Sequence, residues 1–435
     1  MSQLTLATLG VICVLGLARP GWTIAVLIGL FAIEQMIQAN VAFFRTNPTA
    51  GNFLLGGVIL GGTLLSVLRQ PATLRVFADW SLSGFAIILL WSATSLFWTR
   101  NYEFGSTFVR WGVPYAIVYV VLGPLLTYES KSLRRGFVAV MWLCIPVTVL
   151  LLASDVTSVR GGRLAVKVDV GTFTSVLNLG EFGGIVMIVA ALIRKATSQS
   201  VELPLRLAAF VSGAALCVLS GSRGQFAFSV LSILAFLPFT GSRVTFRTLL
   251  LSTVGGVFVI ILAWVVFTFA LSDTDPTRWT ADKIQGGFMV RLFNVLDLLG
   301  AFASSPIAWI IGLGTGSFAT ISTSGEPYTH NIPLDVLCEQ GIPMFILYSA
   351  IALRTIRSIR QGLSQRVGVA GESRADLAIL SALSMFYGFI ILKQGTLWST
   401  GVIAAFYWIS VNALVGNMRE SSGEFSGPES TGSNR

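Results

Sequence analysis

Apolar runs of 16 to 25 residues, separated by short polar turns, fill most of the chain. A membrane-spanning helix needs ~20 mostly apolar residues, with ~17 as a lower limit. The pattern predicts spans at 3–18, 22–39, 52–68, 80–98, 109–127, 136–153, 173–193, 205–221, 225–240, 247–271, 333–353, 377–392 and 397–415. Only Arg19-Pro20-Gly21 separates the first two and only Lys393-Gln394-Gly395 the last two, so either pair can hold a short or broken helix. The expected fold is therefore an all-α polytopic membrane protein of about twelve transmembrane helices, with one large, partly helical loop. Four regions follow: a bundle at 1–271, the loop at 272–332, further spanning helices at 333–415 and a disordered tail at 416–435.

Composition agrees. Hydrophobic residues make up 54% of the 435 and charged residues only 11%, with a mean hydropathy of +0.77. A soluble domain carries roughly 25% charged residues, which this chain lacks. The net charge of +9 does not point to nucleic acid, because the arginines gather in short loops as the positive-inside rule requires. Arg354, Arg357, Arg360, Arg366 and Arg374 mark 354–374 as cytoplasmic, and loops 69–79, 128–135, 194–206 and 241–247 follow. That count puts the N-terminus, 99–108, 154–172, the turn near Arg223 and the loop 272–332 outside, in the periplasm of a Gram-negative cell. The N-terminal MSQLTLATLG lacks the basic stretch of a cleaved leader and reads as mature protein. Four cysteines without paired spacing predict no disulfide framework, and one histidine allows no His/Cys metal cluster.

That histidine is His330, in the stretch GEPYTHNIPLDVLCEQG from Gly325 to Gly341. Asn331 suits an N-cap and Pro333 a first helical turn, so a helix is expected to begin just after His330. Its N-terminus would favour an anion, although an ordinary loop histidine fits the same pattern. Upstream, Arg291, Asn294 and Asp297 recur at helical spacing within FMVRLFNVLDLLGAFA, which offers a polar stripe to water or ligand, or forms a plain amphipathic surface helix. Gly312, Gly314 and Gly316 in GLGTGSF allow either an anion nest or a flexible turn. Arg160, Arg163, Arg223, Arg278 and Arg291 fall on the outer side, where positive-inside statistics do not explain them. A guanidinium fork grips phosphate oxygens in pairs, while contact between helices or with lipid headgroups is the alternative. Among the acids, Glu34, Glu181 and Glu339 form no Asp-x-Asp or glycosidase-type pair, which leaves His330 as the preferred proton acceptor.

These residues resemble the O-antigen ligase and O-antigen polymerase superfamily of bacterial polysaccharide assembly. The similarity rests on the late outer loop, on His330-Asn331 nine residues before Gly341, on Ser222-Arg223-Gly224 at a helix junction, and on Arg291 followed by Pro306 and GLGTGSF. It covers roughly 150–350. The chain departs from the ligase pattern at Ile342-Pro343-Met344 after Gly341, and at Val295 where an Arg-x3-Leu element has leucine. The resemblance implies metal-independent, inverting glycosyl transfer without a cofactor, from an undecaprenyl-pyrophosphate-linked glycan to a lipid A-core sugar hydroxyl at the inner membrane. His330 would be the base, Arg223, Arg291, Arg160 and Arg163 would hold the pyrophosphate, and Asn331, Gly314 and Gly316 would support the site. A polymerase on the same carrier is the nearest alternative. A flippase, for which an inverted repeat is expected and none is visible, and a non-catalytic membrane partner are the others.

Overall fold

The computed structural model describes residues 1–154, 157–160, 163–169, 172–173, 175–193, 203–240, 281–364 and 371–421. Among them eight helices are long and apolar enough to cross a membrane, and Ser2–Ala18, Val176–Leu192 and Leu203–Leu219 are shorter apolar helices. The architecture is that of an α-helical, multi-pass membrane protein. The expected span 247–271 and Arg278 lie outside the described residues.

Local chemistry sets the helix starts. α1 (Ser2–Ala18) and α2 (Pro20–Asn40) are divided by the extended Arg19. Pro20 opens α2, and Pro48 opens α3 (Pro48–Arg69), where the missing N–H has no intrahelical partner to lose. Asp79 caps α4 (Trp80–Thr94) by accepting the Ser81 N–H at 2.7 Å, and Asn101 caps α5 (Tyr102–Ala116) through the Phe104 N–H at 3.0 Å. Pro114 interrupts the ladder of α5, and a wide turn at Ile117–Leu122 follows. The bundle continues through α6 (Ser130–Leu152), α7 (Val176–Leu192), α8 (Leu203–Leu219) and α9 (Arg223–Phe236).

Beyond the bundle come α10 (Ala281–Ala303), α11 (Ile332–Gln340), α12 (Ile342–Ser364), α13 (Gly371–Ile390) and α14 (Val402–Ser421). Here two expectations are corrected. The single span at 333–353 is broken at Gly341, whose φ is +86° and whose Cβ would stand 2.5 Å from the Ile310 carbonyl oxygen. With nine residues α11 is about 14 Å long, far short of a bilayer. Helix also continues through 416 to Ser421, where a disordered tail was expected to have begun, and residues 422–435 lie outside the described residues. One departure from all-α structure also occurs. The stretch expected as loop 154–172 contains the antiparallel strands β1 (Thr157–Arg160) and β2 (Arg163–Asp169) and the start of β3 (Thr172–Phe173), with the β-branched residues Thr157, Val159, Val166, Val168 and Thr172 among them.

Helix α2 and the C-terminal span Leu397–Glu420 form the interior of the bundle, with 83% and 89% of their apolar windows buried, against 17% for α12, which lies at its periphery. Lipid tails are as apolar as leucine, so helices associate through close packing of small residues. At the α7–α8 crossing a Cβ on Gly183 would lie 2.4 Å from the Gly213 carbonyl oxygen, and one on Gly213 2.7 Å from that of Gly183. A second, smaller core of Leu298, Phe302, Ala308, Leu313, Phe318 and Cys338 joins α10, the 308–318 segment and α11 into a cap beside the bundle. That cap carries the histidine.

Candidate active site around His330

His330 is the only described non-glycine residue with a positive φ, at 63°. Directly after it the Asn331 side chain accepts the Leu334 N–H at 3.1 Å, so the cap forms as its sequence predicts. The open anion site expected at this helix start does not exist. The Ile332 N–H is given to the Ile391 carbonyl at 2.9 Å, Pro333 has no N–H, and the Asp335 N–H bonds the Asn331 carbonyl at 3.0 Å. Every donor of the first turn is used. Asn331 is thus a structural support, and recognition of an anion falls to side-chain cations.

Residues 322–324 fasten this loop to α10. Thr323 gives Asp297 both its N–H (3.0 Å) and its hydroxyl (2.7 Å), which hold that carboxyl below its ordinary range, and Ser324 donates to Asn294 at 2.7 Å. Two members of the expected polar stripe therefore bind the protein's own loop, with Asn294 fully buried. Arg291, one turn earlier, is exposed. The imidazole is held below the ordinary histidine pKa, first by burial and then by the positive charge of Arg291, with Lys393 adding to the effect. Glu326 opposes them from 3.7 Å, and the Tyr328 ring meets the imidazole edge at 4.4 Å.

The glycine run is likewise already occupied. The N–H groups of Gly316 and Phe318 each bond the Glu339 carboxylate at 3.1 Å, and the Leu313 and Gly314 N–H groups bond the carbonyls of Cys338 and Glu339 at 2.8 and 3.0 Å. The nest exists, and its anion is internal, so neither an empty anion site nor a flexible turn describes it. At Gly314 (φ +92°) a Cβ would stand 2.5 Å from the Thr99 Cα, and at Gly316 (φ +80°) 2.7 Å from the Gly105 Cα. Burial pushes the Glu339 carboxyl up to about 7, and it raises Asp335 one turn before, where Thr329 donates its hydroxyl.

Arg223 opens α9 and is half-buried. The turn before it rests on α7, since a Cβ on Gly180 would stand 2.4 Å from Ser222 Cβ. Lys393 connects this region to His330: its Nζ would meet a Cβ on Gly224 at 2.2 Å, and it donates to Gln225 Oε1 at 3.4 Å. From Gln225 a chain runs to Gln394 (2.8 Å) and on to Glu181 (2.6 Å), whose other oxygen accepts from Tyr387 at 3.2 Å. A cavity of about 260 Å³ lies alongside, lined by Glu181, Gln394, Tyr115, Tyr119 and Tyr328. Sequence reasoning missed Lys393 as a site cation. The available signal was an ionisable residue within an interrupted apolar run, which marks function by default. Arg160 and Arg163 face each other in register across β1 and β2, and their side chains lie outside the described residues.

No family model matches the chain, and no curated protein matches it.

Proposed function

We propose that this protein is a metal-independent, inverting glycosyltransferase of the O-antigen ligase type, with about twelve spans in the inner membrane and His330 facing the periplasm. It passes a glycan from undecaprenyl pyrophosphate to a lipid A-core sugar hydroxyl. The observation that carries this reading is the lone histidine, its pKa pushed down by burial and by Arg291 and Lys393, packed against Tyr328, which lines a cavity of about 260 Å³. A free imidazole with cations around it can take a proton and receive an anion at the same place.

In the reaction His330 takes the proton of the acceptor hydroxyl as that oxygen bonds the anomeric carbon from the face opposite the pyrophosphate. The bond from the anomeric carbon to the pyrophosphate oxygen breaks, and the electron pair leaves with the pyrophosphate. Arg223, Arg291 and Lys393, with Arg160 or Arg163, stabilise that growing charge as a preorganised clamp. Glu326, 3.7 Å from the imidazole, offsets the positive charge that His330 acquires. The cavity beside Tyr328 takes the transferred end of the glycan.

The test is transfer by the purified protein from undecaprenyl-pyrophosphate glycan to lipid A-core in EDTA, with His330→Ala and Arg291→Ala in parallel. Metal-independent transfer that both folded variants lose supports the ligase. Extension of the donor without lipid A-core would make the protein a polymerase, and full activity in His330→Ala would remove the histidine from the chemistry.

A further inference from the structure

At the opposite end of α12 from Gly341, α4, α12 and α14 enclose an open cleft of about 630 Å³. Arg354, Arg357 and Arg419 line it together with Trp80, and no acidic residue does. The carboxylates nearby are committed: Asp79 pairs with Arg354 at 2.7 Å and Glu420 with Arg75 at 2.5 Å. Arg357 is exposed and makes no ion pair among the described residues. The cleft therefore carries excess positive charge within a few ångströms of an apolar surface.

One further observation points to a ligand. Beside the arginines, Leu353 and Ile356 on α12 are 53% and 61% exposed, and Trp80 turns its indole outward with the Arg354 guanidinium over its ring at 5.1 Å. Exposed aliphatic side chains adjoining an arginine-lined recess, under an interfacial tryptophan, match a molecule with a phosphate head and acyl tails.

We propose that this cleft binds the headgroup of an anionic glycerophospholipid, phosphatidylglycerol being the simplest, with the phosphodiester on Arg357 and Arg419. The acyl chains run along Leu353 and Ile356. Free phosphate or a soluble phosphate ester shares the headgroup chemistry, and the exposed aliphatic flank favours the lipid. The inference stands independently of glycosyl transfer.

Native mass spectrometry of the detergent-purified full chain, titrated with phosphatidylglycerol, phosphatidylcholine or glycerol 1-phosphate, tests it. An arginine near a membrane surface contributes about fivefold to binding, so Arg357→Gln with Arg419→Gln weakens phosphatidylglycerol roughly 30-fold. Arg357→Gln alone weakens it about fivefold, and keeps the test if the double variant does not fold. The exposed Arg360→Gln, outside the cleft, leaves binding unchanged. Equal binding of phosphatidylcholine, or of phosphatidylglycerol to the variants, overturns the site. Equal competition by glycerol 1-phosphate overturns its assignment to a lipid.

Discussion

Removing the Glu339 carboxylate isolates how the cap is held. The two N–H groups it accepts, from Gly316 and Phe318, lie in fully buried backbone. In Glu339→Ala both lose their partner, at about 1–3 kcal/mol each, or ~2–6 kcal/mol together. Part is returned, because the carboxyl is itself buried, and its pKa of about 7 records how unfavourable its charge is there. The expected net effect is near the lower end, ~2 kcal/mol, or about 30-fold in the opening equilibrium of the glycine loop. Hydrogen exchange followed by mass spectrometry reads this directly: amides in 312–321 exchange about 30-fold faster, while those of α2 keep their protection. Glu339→Gln retains one acceptor and gives roughly half the free-energy change. Unchanged exchange in 312–321, in a variant whose α2 remains protected, would show that the carboxylate does not hold the loop.

Other consequences are equally direct. Because the chain has one histidine, NMR of selectively labelled imidazole reports a single titration; its midpoint lies below the ordinary value and moves up in Arg291→Gln, with a smaller rise in Lys393→Gln. No movement in either variant would refute the electrostatic reading. Glu339 keeps its proton in the folded chain between its ordinary 4.5 and about 7, so its contribution to stability falls as pH rises through that window. Thermal unfolding between pH 5 and 7 shows that slope, and Glu339→Gln flattens it. Gly314→Ala meets the Thr99 backbone and destabilises more than Gly325→Ala, which has φ +74° and open space around it and costs only the left-handed strain of ~1–2 kcal/mol. Asn331→Ala removes a cap worth about 1 kcal/mol, visible as faster exchange at 334–336.

Short-range grammar was legible in the sequence, and long-range partnership was not. The hydropathy pattern placed most helices within a few residues, and Asn331 with Pro333 announced the start of α11, because a cap is decided within one turn. The break at Gly341 was hidden inside an apolar run that reads continuously from 333 to 353, and only the approach of the Ile310 carbonyl reveals why glycine stands there. The spacing of Arg291, Asn294 and Asp297 correctly gave a helix, yet Thr323 and Ser324, the true partners of the last two, come from a distant loop. Lys393 acts on His330 across a distance of some sixty residues in sequence, where the Ile332 N–H bonds the Ile391 carbonyl. Glu339 appeared as one of several scattered acids, and its hold on the glycine run is a tertiary fact.

The left-handed backbone at position 330 constrains how the chemistry of its side chain can be interrogated. A residue at φ 63° sits where ordinary L-residues are disfavoured and where histidine, asparagine and aspartate are enriched. Alanine there deletes the imidazole and also adds ~1–2 kcal/mol of conformational penalty, so a silent His330→Ala confounds lost reactivity with a displaced loop. His330→Asn is the conformational equivalent: it accepts the same backbone, carries no titrating ring and leaves the cap at 331 untouched. A β-branched replacement is the opposite control, with the peptide geometry disturbed most. Comparing the two separates what the ring does from where the chain puts it.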